Sequence, residues 1–205
     1  MKNKILLVSA FIFVVILAPL LGETGGIVYL FWFGFPVLYL VINRNLKDLY
    51  IVKEKWKSAL FWGVVVGVVY GILWAFAGSI YEPVVSFMYE WKSMVTEITG
   101  FSGSFYFFLG LVILVFIGDF GQEIFYRGYL QNRLVGFVGV LVAILIPALL
   151  VVWFHILEGR TIIALFNVLL LNIVAGTLFH WRKSILASII FHALSIIVCF
   201  CLVVR

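Results

Sequence analysis

The segment Leu134–Leu157 reads LVGFVGVLVAILIPALLVVWFHIL and contains 24 consecutive residues without Asp, Glu, Lys or Arg. A helix needs about 20 predominantly apolar residues to cross the hydrocarbon core of a bilayer. The whole chain of 205 residues shares this character, with 65% hydrophobic and 11% charged residues. Ordinary globular proteins contain roughly 45–50% apolar and about 25% charged residues. The sequence therefore predicts an integral membrane protein and excludes a soluble domain of this size.

Similar apolar runs recur along the chain and predict an all-α, polytopic transmembrane helical bundle of about seven spans. The spans are Ile5–Leu21, Gly25–Ile42, Ser58–Ile80, a run from Phe105 into the polar stretch Asp119–Arg133, Leu134–Leu157, Thr161–His180 and Ser184–Val204. They form a single membrane domain, in which residues 1–104 hold the N-terminal spans and an interfacial segment at about 83–99, and residues 105–205 form a helical core. Short connections leave no room for a separate soluble domain.

The third span contains Gly63, Gly67 and Gly71 at intervals of four residues. Small residues at this spacing let two helices approach closely in a membrane. We expect the stripe to pack within the monomer, and a dimer face is the alternative. The oligomeric state is left open.

The distribution of basic residues orients the spans, because cytoplasmic loops of membrane proteins carry an excess of Lys and Arg. Ten basic residues fall on the side of the N terminus and three on the other side. The predicted location is the cell membrane, with the N terminus in the cytoplasm and the C terminus outside. The few basic residues lie between apolar segments, so we expect membrane lipids and no nucleic acid as partners.

Residues 83–99 are too polar to span a membrane, although apolar side chains recur in them at helical spacing. Pro83 suits the first turn of a helix and Gly100 suits its end. We predict a helix that lies in the outer membrane interface.

Ionisable side chains inside a bilayer are costly and usually face the interior of the bundle. Asp119, Glu123 and Arg127 are spaced four residues apart and share one helix face, and His155 and His192 lie in later spans. The pair Glu123–Arg127 could simply orient two helices, and each histidine could be a satisfied structural residue. We predict instead that the fourth, fifth and seventh spans form one polar cavity around these side chains.

The stretch Gln122–Leu130, QEIFYRGYL, resembles the first motif of the CAAX protease and bacteriocin-processing (CPBP) intramembrane proteases, Glu-Glu-x-x-x-Arg followed by Gly. The family's second motif, Phe-x-x-x-His, is matched at His155 with Val151 in the Phe position. Its third motif, His followed four residues later by Asn or Asp, is matched at His192 with Ile196 in the last position. The resemblance covers about residues 105–200 and is of the CAAX prenyl protease type 2 kind.

The resemblance implies a membrane endopeptidase that acts on membrane-associated peptides, with prenylated CAAX proteins as one possible substrate class. It implies that the first glutamate and the second-motif histidine activate a water, while the third-motif histidine stabilises the oxyanion. The implied catalytic residues are Gln122, Glu123, Arg127, His155 and His192. The family is described as metalloprotease-like, and the sequence leaves open a divalent metal such as zinc, for which Glu and His are suitable ligands.

The sequence departs from the motifs at Gln122, which replaces the first glutamate, and at Ile196. An amide cannot act as a base at neutral pH. Asp119, one turn before Gln122, and Glu123 are the two carboxylates that could replace it. The alternative function is a catalytically inactive member that serves as a binding, immunity or regulatory membrane protein. A small transporter is a third class, although the chain lacks the internal repeat expected there.

The interfacial helix can be tested by cysteine labelling. Cysteines placed at Glu90 and Glu97 should react with an impermeant thiol reagent added from outside, in a background in which Cys199 and Cys201 are replaced. Labelling from the cytoplasmic side alone would contradict both the helix placement and the orientation.

Overall fold

A computed structural model of the chain describes residues 55–80, 120–157 and 159–203, together with positions 50, 93, 109, 110, 112, 115 and 118. This part of the chain is helical and contains no β-strand. The all-α prediction is confirmed for these residues. The predicted spans Ile5–Leu21 and Gly25–Ile42 lie outside them, as does the 83–99 helix apart from Ser93.

Four α-helices and one π-helix build the described bundle. They are α1 (Trp56–Ile80), the π-helix (Ile124–Gln131), α2 (Asn132–Leu157), α3 (Ile162–Arg182) and α4 (Ile185–Val203). Four apolar helical segments are long enough to cross a membrane, namely Trp56–Ala77, Phe120–Leu157, Ile162–Arg182 and Ile185–Val203. They correspond to the third, fifth, sixth and seventh predicted spans and the end of the fourth. The count of seven spans stays a prediction.

The helical segment from Phe120 to Leu157 is broken at Gly139, whose φ of 79° and ψ of 171° are not helical. Gln131 Oε1 and Ile144 Cγ2 lie 2.9 and 3.0 Å from the position that a Cβ on Gly176 would occupy. A straight helix would separate residues 131 and 144 by about 20 Å along its axis. The chain therefore turns back at Gly139, where glycine permits the positive φ.

The turn at Gly139 corrects the predicted boundary between the fourth and fifth spans, which we placed between Arg133 and Leu134. The helix continues past Arg133 because Leu134–Val138 is an apolar stretch that carries no helix-stopping signal apart from glycine. The side chains on both sides of the turn are exposed, including Phe137 and Leu141.

The glycines of α1 pack directly against α4, which confirms the prediction of close packing within the monomer. A Cβ on Gly63, Gly67 or Gly71 would lie 2.8–2.9 Å from the backbone oxygens of Ala187, Phe191 and Ser195. Each glycine contacts the backbone oxygen of the residue 124 positions later in the chain. A constant offset means that α1 and α4 run parallel.

The π-helix and α3 also run parallel. Arg127 contacts Asn172 and Gln131 contacts Gly176, and both pairs are separated by 45 residues. At the same offset, Gly139 is level with Ser184, in the connection between α3 and α4. The start of α1 joins this end of the bundle, because Arg182 donates a hydrogen bond to the Ser58 hydroxyl.

Most basic side chains of the described helices lie at this end of the bundle. They are Lys55, Lys57, Arg133, Arg182 and Lys183, whereas Arg160 follows α2 at the opposite end. The sequence predicts the same division between the two membrane faces. The relative directions of these helices thus agree with the predicted topology, and the assignment of this end to the cytoplasm stays a prediction.

The glycine stripe can be tested with two matched substitutions. Gly67→Ala should lower the free energy of unfolding by about 1–3 kcal/mol, because the added methyl group overpacks the α1–α4 contact. Gly136→Ala is the control, since nothing lies within 4 Å of its Cβ position, and alanine favours a helix by up to about 1 kcal/mol. Unfolding in mixed micelles with increasing dodecyl sulfate measures both, and equal effects would contradict the packing role.

Candidate active site

Glu123 and Arg127 form an ion pair inside the bundle. Their side chains are 1% and 0% exposed, and Arg127 Nε lies 3.4 Å from Glu123 Oε2. The spacing of four residues places them on one helix face with the glutamate first, which is the favourable order. The pairing predicted from the sequence is therefore present, and each charge has a partner of opposite sign.

The other carboxylate oxygen of Glu123 contacts His192 on α4. His192 Nδ1 lies 3.2 Å from Glu123 Oε1, and His192 is 5% exposed. The two residues are 69 positions apart in the chain. Two of the predicted site residues from different spans thus meet, as the polar-cavity hypothesis requires.

Arg127 has a further partner that the sequence analysis missed. Its Nη2 donates hydrogen bonds to Asn172 Oδ1 at 2.6 Å and to the Asn172 backbone oxygen at 3.1 Å. Asn172 is 2% exposed on α3, so the network joins α4, the π-helix region and α3. Asn172 is an amide side chain inside an apolar predicted span, which could have indicated a buried contact. The sequence analysis considered only ionisable side chains there.

Gln131 makes a second connection from the π-helix to α3. Its Nε2 donates to the Gly176 backbone oxygen at 2.8 Å, and its side chain is fully buried. This contact lies one turn after the contact between Arg127 and Asn172. All eight residues of the π-helix are buried, and π-helical turns often occur at functional sites.

His155 lies in the last turn of α2 and is half-buried. Its backbone oxygen accepts a hydrogen bond from Arg160 N. Val151 and Phe154, on the same helical turn, belong to the buried cluster that also contains Tyr126 of the π-helix. That the His155 side chain shares a site with Glu123 and His192 stays a prediction.

The two positions that depart from the motifs have different surroundings. Gln122 is half-buried, whereas the adjacent Glu123 is buried in the network. Ile196 packs against an apolar cluster of α1 and α4. Asp119 lies outside the described residues. That its carboxylate takes over the role of the glutamate missing at position 122 therefore stays a prediction.

A divalent metal such as zinc stays a prediction. Among the residues that the structure describes, no three His, Cys, Asp or Glu side chains are grouped to hold one. Glu123 and His192 are one pair, and the Arg127 guanidinium beside Glu123 would repel a cation.

The described helices define a membrane protein with a buried polar network, in which Glu123 is the one acidic side chain among the described residues. Residues 104–198 match the family model described as type II CAAX prenyl endopeptidase Rce1-like. This match, which covers slightly less than half of the chain, agrees with the resemblance to the CPBP and CAAX proteases seen at Gln122–Leu130. No curated protein and no solved structure was found to match the chain.

The importance of the ion pair for stability can be measured by removing one or both charges. Arg127→Leu should lower the free energy of unfolding by about 3–5 kcal/mol, because it leaves the Glu123 charge buried without its partner. The double variant Glu123→Gln/Arg127→Leu should be more stable than Arg127→Leu alone. Unfolding in mixed micelles compares them, and a double variant less stable than the single one would contradict the pairing.

Proposed function

We propose that this protein is an integral membrane endopeptidase that hydrolyses peptide bonds in membrane-associated substrates of the prenylated CAAX type. The family match over residues 104–198 supports the reaction class. The observation that carries the assignment to this site is the contact between His192 Nδ1 and Glu123 Oε1 at 3.2 Å. A carboxylate and an imidazole in contact are a suitable pair for proton transfer in a buried site.

In the proposed reaction, Glu123 orients His192 and stabilises its protonated form. Because Nδ1 faces Glu123, Nε2 on the other side of the ring is the nitrogen that takes a proton from the attacking water. This role differs from the one implied by the resemblance, in which the third-motif histidine stabilises the oxyanion. The water oxygen bonds to the scissile carbonyl carbon. The C–N bond then breaks, and His192 returns the proton to the leaving amine.

The remaining residues of the predicted set have supporting roles in this proposal. Arg127 balances the charge of Glu123 and keeps its carboxylate in place. His155 is the second-motif histidine, and we assign it to hold the water or the oxyanion. Gln122 occupies the position of the family's first glutamate, where its amide can donate or accept a hydrogen bond but cannot take a proton.

The alternative is a catalytically inactive member that binds or regulates other membrane components. Two observations favour it, namely the amide at Gln122 and the apolar packing of Ile196 at the position of the third-motif Asn or Asp. Under this alternative the network of Glu123, Arg127 and His192 only holds the helices together. The two functions differ in whether any peptide is cleaved.

A cleavage assay on the purified full chain in lipid nanodiscs separates them. The substrates are a farnesylated CAAX peptide and the same peptide without the lipid, and mass spectrometry detects release of the C-terminal tripeptide. We expect cleavage of the farnesylated peptide, and loss of about 10²–10⁴-fold in rate for Glu123→Gln and His192→Ala. Gln122→Glu should raise the rate, because it returns a carboxylate to the site.

His180→Ala is the matched control for this assay. His180 is on α3 near the end of the bundle, where its Nδ1 lies 3.2 Å from Lys183 Nζ, and we expect its substitution to leave the rate unchanged. Failure of the wild type and of Gln122→Glu to cleave either peptide would favour the inactive alternative. Equal losses for His180→Ala and His192→Ala would contradict the assignment of His192.

A further inference from the structure

Asn172 is placed to control the orientation of Arg127. An arginine side chain carries five N–H donors and accepts none. Arg127 directs Nε to Glu123 and Nη2 to both oxygens of Asn172. Neither Nε nor Nη1 makes a hydrogen bond among the described residues. Asn172 is thus the neutral partner that draws the guanidinium away from Glu123 towards α3.

The Asn172 side chain is itself held in one orientation. Its Nδ2 donates to the backbone oxygen of Val168 at 2.8 Å, one turn earlier in α3. This contact directs Oδ1 towards Arg127, because the two ends of an amide point in different directions. The contact between Gln131 and Gly176 one turn later keeps the π-helix and α3 in the same register. Asn172 therefore has little freedom to move with the guanidinium.

We infer that Asn172 is a positioning residue for the Glu123–His192 pair and acts on it through Arg127, an inference that rests on the proposed function for its catalytic consequence. With Asn172 in place, Arg127 Nε lies 3.4 Å from Glu123 Oε2 without a hydrogen bond. Substitution of the side chain removes the Oδ1 acceptor at 2.6 Å and leaves Nη2 only the longer contact with the backbone oxygen at 3.1 Å. The freed donors then turn to the nearest anion among the described residues. That anion is Glu123, so Arg127 then competes with His192 for the carboxylate.

The chain offers a matched control for Asn172 on the same helix. Asn167 is the other buried asparagine of α3, at 9% exposed. Its Oδ1 accepts a hydrogen bond from the Tyr70 hydroxyl of α1 at 2.8 Å. Asn167→Leu and Asn172→Leu remove the same amide from one helix, but only the second removes a contact of Arg127.

The direct test observes His192 and does not need peptidase activity. The chain contains three histidines, so the full protein labelled with ¹⁵N-histidine gives three sets of imidazole signals by NMR, and His192→Gln identifies those of His192. Asn172→Leu should shift the His192 signals and leave those of His155 and His180 in place. Asn167→Leu should move none of the three. Asn172→Ser replaces Asn172→Leu if the leucine variant does not fold.

A kinetic test follows where the farnesylated peptide is cleaved. Asn172→Leu should lower kcat by about 10–100-fold and leave KM within about twofold, because displacement of a catalytic group by about 1 Å can cost 10²-fold in rate. Asn167→Leu should lower thermal stability with little change in kcat. If Asn172 only stabilises the fold, both asparagine variants should lower thermal stability and leave kcat nearly unchanged.

The outcomes separate this inference from the proposed function. Unchanged His192 signals in Asn172→Leu, or equal shifts in Asn167→Leu, overturn the positioning role whether or not the protein is an enzyme. A His192 shift specific to Asn172→Leu in a protein that cleaves no peptide supports the positioning contact and overturns the proposed function. Shifted signals together with the fall in kcat support both.

Discussion

The free-energy cost of a buried charge is the constraint on which this structure depends. A charged side chain within a bilayer costs about 2.5–3.5 kcal/mol even on the mildest scales. Glu123 and Arg127 are both buried, and each is held by the other and by a residue from a different helix. The ion pair therefore constrains the positions of other helices as well as its own. It ties the positions of α3 and α4 to the π-helix, because a shift of either helix would leave a charge without its partner.

Close packing supplies the second constraint, and it acts on a different pair of helices. Lipid offers no hydrophobic driving force between helices, so association depends on contact at short range and on interhelical hydrogen bonds. Gly63, Gly67 and Gly71 bring α1 against the backbone of α4. The Tyr70 hydroxyl then reaches Asn167 on α3. The helix that carries His192 is thus held on one side by glycine packing and on the other by the carboxylate of Glu123.

The sequence predicts those features of the fold that come from composition and local spacing. Apolar length gave α1, α3 and α4 to within a few residues, and the four-residue spacing gave the Glu123–Arg127 pair and the glycine contact. The turn at Gly139 was misplaced, because it lies in an apolar stretch and depends on a single positive φ. Asn172 was missed because it is not ionisable, and its contact with Arg127, 45 residues away, depends on the register of two helices. Contacts of this kind depend on how two packed helices are aligned along their axes. The spacing of apolar residues within each helix does not define that alignment.

The contact with His192 bears on whether the network is structural or catalytic. A Glu–Arg pair that only orients helices is complete when its two charges meet, and Asn172 already adds the hydrogen bond that joins it to α3. Stability alone requires a hydrogen-bond partner for the other carboxylate oxygen of Glu123, and a non-titratable donor would serve as well. A histidine is the side chain whose unperturbed pKa lies nearest neutrality. Its placement on the other carboxylate oxygen of Glu123 supplies the titratable group that the proposed proton transfer requires.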